Sequence, residues 1–168
     1  VETSIGASPV AIFFSNLWKA LIMPFWDNGR IWVHSIPFRP ALDYLSASFF
    51  FIGLVLIILR IIRDKRWQDV VLILSIPLLM LPSVLSIAFP DENPCLNRTG
   101  AAAIPILITA AYGIVSVWNL LISRFKESKI NILFTAVLGI AFLFAIGKNN
   151  YDLVFNEYRQ NYDLNALN

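Results

Sequence analysis

YLSASFFFIGLVLIILRII, residues 44–62, decides the fold. No charged side chain interrupts it before Arg60. About 20 helical residues, at about 1.5 Å each, cross a hydrocarbon core about 30 Å thick. Three more runs are uncharged and of similar length: residues 70–89, 101–122 and 130–147. In lipid a helix satisfies its own backbone hydrogen bonds, so helices are expected throughout. The composition agrees. The 168 residues are 58% hydrophobic and 14% charged, with a mean hydropathy of +0.69. Soluble domains carry about 25% charged residues. The reading is all-α: a polytopic transmembrane bundle of about four spans.

Outward from these runs, the segment from Pro9 to Trp26 is apolar but centred on Lys19. Ser15, Asn16 and Lys19 share one helical face, while Phe13, Phe14, Leu17, Trp18, Leu21, Ile22 and Phe25 cover the other. That spacing predicts an amphipathic helix lying in the interface. The competing reading is a fifth span with Lys19 turned into the bundle. Pro77, Pro82 and Pro105 predict kinks rather than helix ends; Gly53, Gly113 and Gly139 either allow close helix contacts or are lipid-facing, loosely packed positions. The chain thus divides into 1–43 (interfacial helix and loop), 44–147 (four spans) and 148–168. This last is a polar tail read as the start of an extramembrane domain. No basic start or cleavage pattern marks Val1–Ser8 as a signal peptide, and the absence of an initial Met suggests a piece of a longer protein.

Charge sets an expected orientation. Arg60, Arg63, Lys65 and Arg66 follow the first span; Arg124, Lys126 and Lys129 follow the third. By the positive-inside rule, loops 63–69 and 123–129 are cytoplasmic. Loops 27–43 and 90–100 and the tail then lie outside, in a bacterial inner membrane. Trp26, Trp32 and Tyr44 fit an outer aromatic belt, and Trp67 and Trp118 an inner one. A net charge of +2 gives no reason to expect nucleic acid. The lone Cys95 forms no internal disulfide and reads as a bystander.

Chemistry is expected in the outer loops. Asp27-Asn28-Gly29-Arg30 reads as a turn. Pro37 and Pro40 stiffen the stretch that holds Arg39, and a fixed guanidinium at a membrane surface suits a phosphate. The alternative is a snorkelling arginine or one paired with Asp43. His34 is the only histidine, and a metal site needs more ligands than one. Arg98 stands before the third span, where helix N–H groups also favour anions. Asp91 and Glu92 are candidates for a divalent metal or a general base, or are plain solvated acids. Asn97-Arg98-Thr99 is taken as a chance glycosylation sequon. No Gly-rich nucleotide loop, Ser/His/Asp set or metal-spaced Cys/His cluster is visible.

The order of these features resembles the bacterial membrane glycosyltransferases of the dolichyl-phosphate-mannose protein mannosyltransferase type, the family 39 group of the GT-C enzymes. Asn16-Leu17-Trp18-Lys19-Ala20-Leu21 comes first, then His34-Ser35-Ile36-Pro37-Phe38-Arg39-Pro40-Ala41-Leu42-Asp43. Leu81-Pro82-Ser83 follows, and then Asn93-Pro94 through Asn97-Arg98-Thr99-Gly100-Ala101 before Ile104-Pro105. The resemblance covers most of Asn16 to Gly113. The tail, with Phe155, Tyr158 and Tyr162, is similar to the segment leading into that family's extramembrane domain.

The resemblance implies transfer of a sugar from a polyprenyl-phosphate donor to an acceptor outside the cytoplasm. Membrane lipid, the lipid-linked donor and upstream polypeptide would be the partners. It implies that the family's catalytic aspartate lies upstream of this chain, so no residue here inherits that role. Arg98 and Arg39, with His34 and Asn97, would hold the carrier phosphate. Two other readings stay open: a non-catalytic structural subunit, and a segment of a lipid-linked-sugar transporter. The second is disfavoured because the span centres hold only mild polarity, such as Ser75, Thr109 and Thr135.

Overall fold

A computed structural model of the chain describes residues 8–124 and 129–166; the side chains of residues 124 and 129–132 lie outside that description. The expectations for the opening residues and for the basic cluster Arg124, Lys126 and Lys129 therefore fall outside the described side chains. Among the described residues all regular structure is helical. The main helices are α1 (Pro9–Ile22), α2 (Tyr44–Asp64), α3 (Trp67–Val84), the single turn α4 (Leu96–Thr99), α5 (Ala103–Arg124), α6 (Lys129–Tyr151) and α7 (Tyr158–Ala166). Four stretches are long and apolar enough to cross a membrane: Tyr44–Asp64, Trp67–Val84, Leu96–Ser123 and Leu133–Ala166. The protein is an integral membrane protein of the expected all-α class.

The 14 residues of α1 extend about 21 Å, short of a bilayer core. Its position differs in one respect from the sequence reading. Asn16 does not face water but is 1% exposed, on a stripe with Ile12 and Ala20 that packs against α3. The Asn16 side-chain amide donates to the Val84 carbonyl at 3.1 Å. That carbonyl sits in the last turn of α3, where no helical N–H remains to satisfy it. Val10, Phe14 and Trp18 are the large exposed apolar residues of the helix.

The most extensive helix pair is α2 with α5, and glycine makes it so. A Cβ at Gly53 would collide with the Thr109 carbonyl, and one at Gly113 with the Phe49 carbonyl. Small residues let the two backbones touch, the usual basis of helix association in lipid. Gly139 of α6 lies against the Trp118 ring, so all three expected glycines stand at close contacts.

The prolines behave in two ways. α3 runs through Pro77 and Pro82 to Val84. Pro105 sits in the first turn of α5, where a missing N–H costs nothing. Just before it, Gly100–Ala102 form a 3₁₀ turn, at the point where Pro105 has no N–H to give the Ala101 carbonyl. α6 continues past Gly147, through a π-helical stretch at Asp152–Glu157, into α7.

The loops that follow α1 and α3 meet, through Arg30 with Asp91 and His34 with Asn97. One end of the bundle carries loops 23–43 and 85–102; the other carries the turn at Lys65 and Arg66. We call these the capped end and the basic end. Trp26 and Tyr44 are exposed at the first and Trp67 at the second.

Candidate functional site

The capped end is built around Asn28, which is almost fully buried. Its backbone N–H donates to the Arg39 carbonyl at 2.7 Å, and its side-chain amide donates to Ser35 Oγ at 3.0 Å and to the Ile36 carbonyl at 2.9 Å. The Phe38 N–H donates to the Gly29 carbonyl at 2.9 Å. Asp27 closes the turn by accepting from the Gly29 N–H at 2.8 Å. Gly29 has φ +88°, and an added Cβ would stand 3.1 Å from Pro94 Cδ. Only glycine suits both the conformation and the approach of the second loop.

That second loop is pinned from α3. Ser83 Oγ donates to Asn93 Oδ1, and the Cys95 N–H donates to Ser83 Oγ at 3.1 Å. The Thr99 hydroxyl donates to the Cys95 carbonyl at 3.0 Å. Cys95 is buried here as a free thiol. Arg30 joins the two loops through Asp91 at 2.9 Å.

Between the first loop, the second loop and the C-terminal helices lies a cavity of about 430 Å³. Its polar wall comprises Asn28, His34, Ser35, Arg39, Asn97 and Tyr158; Leu153 and Val154 are among its apolar residues. Arg39 is the cation of this wall. Its side chain is 14% exposed, and its Nε is buried with no hydrogen-bond partner. Its ion pair with Glu157 is long at 3.4 Å, and the guanidinium lies 5.5 Å from the Tyr44 ring. A buried N–H donor without an acceptor is costly.

Arg39 does not pair with Asp43. That carboxylate caps α2, accepting from the N–H groups of Leu45 at 3.1 Å and Ser46 at 3.0 Å, and from the Asn150 amide at 3.0 Å. Burial alone would raise its pKa. The hydrogen bonds from Ser46, Asn150 and Leu45 outweigh that and hold it below its ordinary value.

His34 and Asn97 are brought together, with Asn97 Nδ2 2.9 Å from His34 Nδ1. Arg98 turns elsewhere. It donates to Ser86 Oγ at 2.8 Å and pairs with Glu92 at 3.0 Å. It lines an adjoining cavity of about 350 Å³ with Ile31, Glu92 and Cys95. Val33, His34 and Asn97 line both cavities, so the two arginines flank one wall from opposite sides. Asp91 and Glu92 diverge to separate arginines, Arg30 and Arg98. No family model, curated protein or solved structure matches this chain.

The residues that the sequence did not mark for this site are Asn28, Glu157 and Tyr158. Asn28 was visible only as part of a turn. Tyr158 donates to the Val33 carbonyl at 2.6 Å, and Tyr162 meets the Trp32 ring at 5.6 Å. These contacts span more than a hundred residues, and no local spacing announces them.

Proposed function

We propose that this chain is the membrane portion of a glycosyltransferase that moves a sugar from a polyprenyl-phosphate carrier to an acceptor on the non-cytoplasmic face. The observation that carries the reading is Arg39: a mostly buried guanidinium with an unpartnered Nε on the wall of a cavity at the capped end. The resemblance in the order of loop motifs supports the same function. In this reading the capped end faces outward from a bacterial inner membrane and the basic end faces the cytoplasm.

The chemistry divides among the chain's own residues. Arg39 binds a phosphate oxygen of the donor and offsets the charge that builds on phosphate as the glycosidic bond breaks. Tyr158 and the Asn97–His34 pair orient the head group. Arg98 supplies a second positive field across the shared wall, moderated by its pair with Glu92. The carboxylate that activates the acceptor hydroxyl lies outside this chain.

Sugar transfer from a polyprenyl-phosphate donor, measured in membranes carrying the complete polypeptide, tests the assignment. Arg39→Gln is expected to lower turnover by about a hundredfold, the usual loss on removing a preorganised donor. Arg98→Ala should lower it less. Near-normal transfer by Arg39→Gln at normal protein levels would remove the basis for the proposal. One observation favours a second reading, a non-catalytic membrane subunit: Asp91, Glu92, Arg30 and Arg98 satisfy one another, as groups in a structural cap would. Unchanged transfer in both variants would favour it.

A further inference from the structure

At the opposite end of the bundle, Arg60 lies one turn from the end of α2, between α3 and α5. It makes a paired contact with Asp69 of α3 through Nε and Nη2. The Asp69 side chain is 5% exposed. On its other side the guanidinium stacks over the Tyr112 ring of α5 at 4.4 Å. Asp69 therefore holds one edge of the fork and Tyr112 covers one face.

This group lines a cavity of about 350 Å³ between α2 and α5, with Leu56, Leu59, Arg63, Tyr112 and Ser116. The lining is amphiphilic along the helix axis. Leu56 and Leu59 stand toward mid-membrane, and Arg63 stands one turn beyond Arg60 toward the basic end. Arg63 is itself held by Asp64, at 2.7 Å from Nε. Over residues 60–69, Arg60, Arg63, Lys65 and Arg66 face only Asp64 and Asp69, an excess of two positive charges. A guanidinium held flat at the wall of a cleft suits the non-bridging oxygens of a phosphodiester. Basic pockets between transmembrane helices at the interface are where anionic head groups bind.

We propose that this cleft binds the head group of an anionic phospholipid, the phosphate at Arg60 and Arg63 and the acyl chain along Leu56 and Leu59. The site lies at the far end from the cavity lined by Arg39, so it stands or falls separately from the proposed activity. Charge complementarity and the apolar stretch together favour a lipid over free phosphate, which would have no use for the leucines.

The test is native mass spectrometry of the whole chain, titrated with phosphatidylglycerol, phosphatidylcholine or inorganic phosphate. Phosphatidylglycerol is expected to bind at one saturable site, and the other two at least tenfold more weakly. Ser116→Leu fills the cleft without changing charge and should abolish that site. Arg63→Gln should weaken it about fivefold. Equal binding of phosphatidylcholine, or tighter binding of inorganic phosphate, would overturn the proposal. So would undiminished phosphatidylglycerol binding by Ser116→Leu, because a diffuse charged belt does not need the cleft. Should Ser116→Leu fail to fold, a photo-crosslinking phosphatidylglycerol on the native sequence decides. Adducts at residues 56–63 and 112–116 support the site, and adducts confined elsewhere refute it.

Discussion

Replacing Gly113 with alanine should push apart the tightest helix seam of the protein. The new Cβ would stand 2.9 Å from the Gly53 nitrogen and closer still to the Phe49 carbonyl oxygen. Carbon and oxygen normally rest about 3.3–3.6 Å apart even in the closest favourable contacts. Both obstacles are backbone, so no rotamer change relieves them. α2 and α5 must separate by about 1 Å, which forfeits a quarter to a half of each dispersion well along the seam. Overpacking of this kind costs about 1–3 kcal/mol, and the upper end applies where the most extensive helix pair is pushed apart. A cost of about 2.8 kcal/mol lowers the folded-to-unfolded ratio about a hundredfold, at 1.4 kcal/mol per factor of ten. Unfolding in mixed micelles, followed by far-ultraviolet circular dichroism, measures it. Gly53→Ala should cost a similar amount. The double variant should cost clearly less than the sum, since one separation serves both methyl groups. Single variants within about 0.5 kcal/mol of the native chain, or full additivity, would refute the claim of backbone contact at this seam.

Two further outcomes are expected. Asp69→Ala leaves Arg60 without its carboxylate and should cost about 3–5 kcal/mol, while Arg60→Met with Asp69→Leu should come close to neutral in the same unfolding assay. Asp43 is held below its ordinary pKa of 3.8, so its stabilising contribution is complete above that value and is lost as pH falls through the folded value. Asp43→Ala should therefore cost about 1 kcal/mol at neutral pH, and the gap to the native chain should close in acid.

Sequence alone located the spans because bilayer length and absence of charge are local properties. For Gly53 and Gly113 the sequence left close packing and a lipid-facing position open, and the backbone contacts across the α2–α5 seam decide for the first. Partner choice was not. Arg60 was counted along the chain with Arg63, Lys65 and Arg66, yet the sharp turn at Lys65, with φ 51°, folds Asp69 back beside it. Asn16 was placed on the polar face by helical period, but a buried Val84 carbonyl at a helix end drew it inward. Arg39 was read correctly as a loop cation among prolines. Its neighbours Glu157 and Tyr158 come from the tail, which the charge pattern presented only as polar sequence.

The account rests most on the two ends of the bundle facing opposite sides of the membrane. Single cysteines at Gly100, where an added Cβ meets nothing within 4 Å, and at exposed Gln68 sample those ends directly, in a Cys95→Ala background. A membrane-impermeant maleimide added to intact cells should label Gly100→Cys at once and Gln68→Cys only after the membrane is opened. Labelling of Gln68→Cys from outside, with Gly100→Cys protected, would invert the molecule and place the Arg39 cavity on the side where no extracytoplasmic acceptor can reach it.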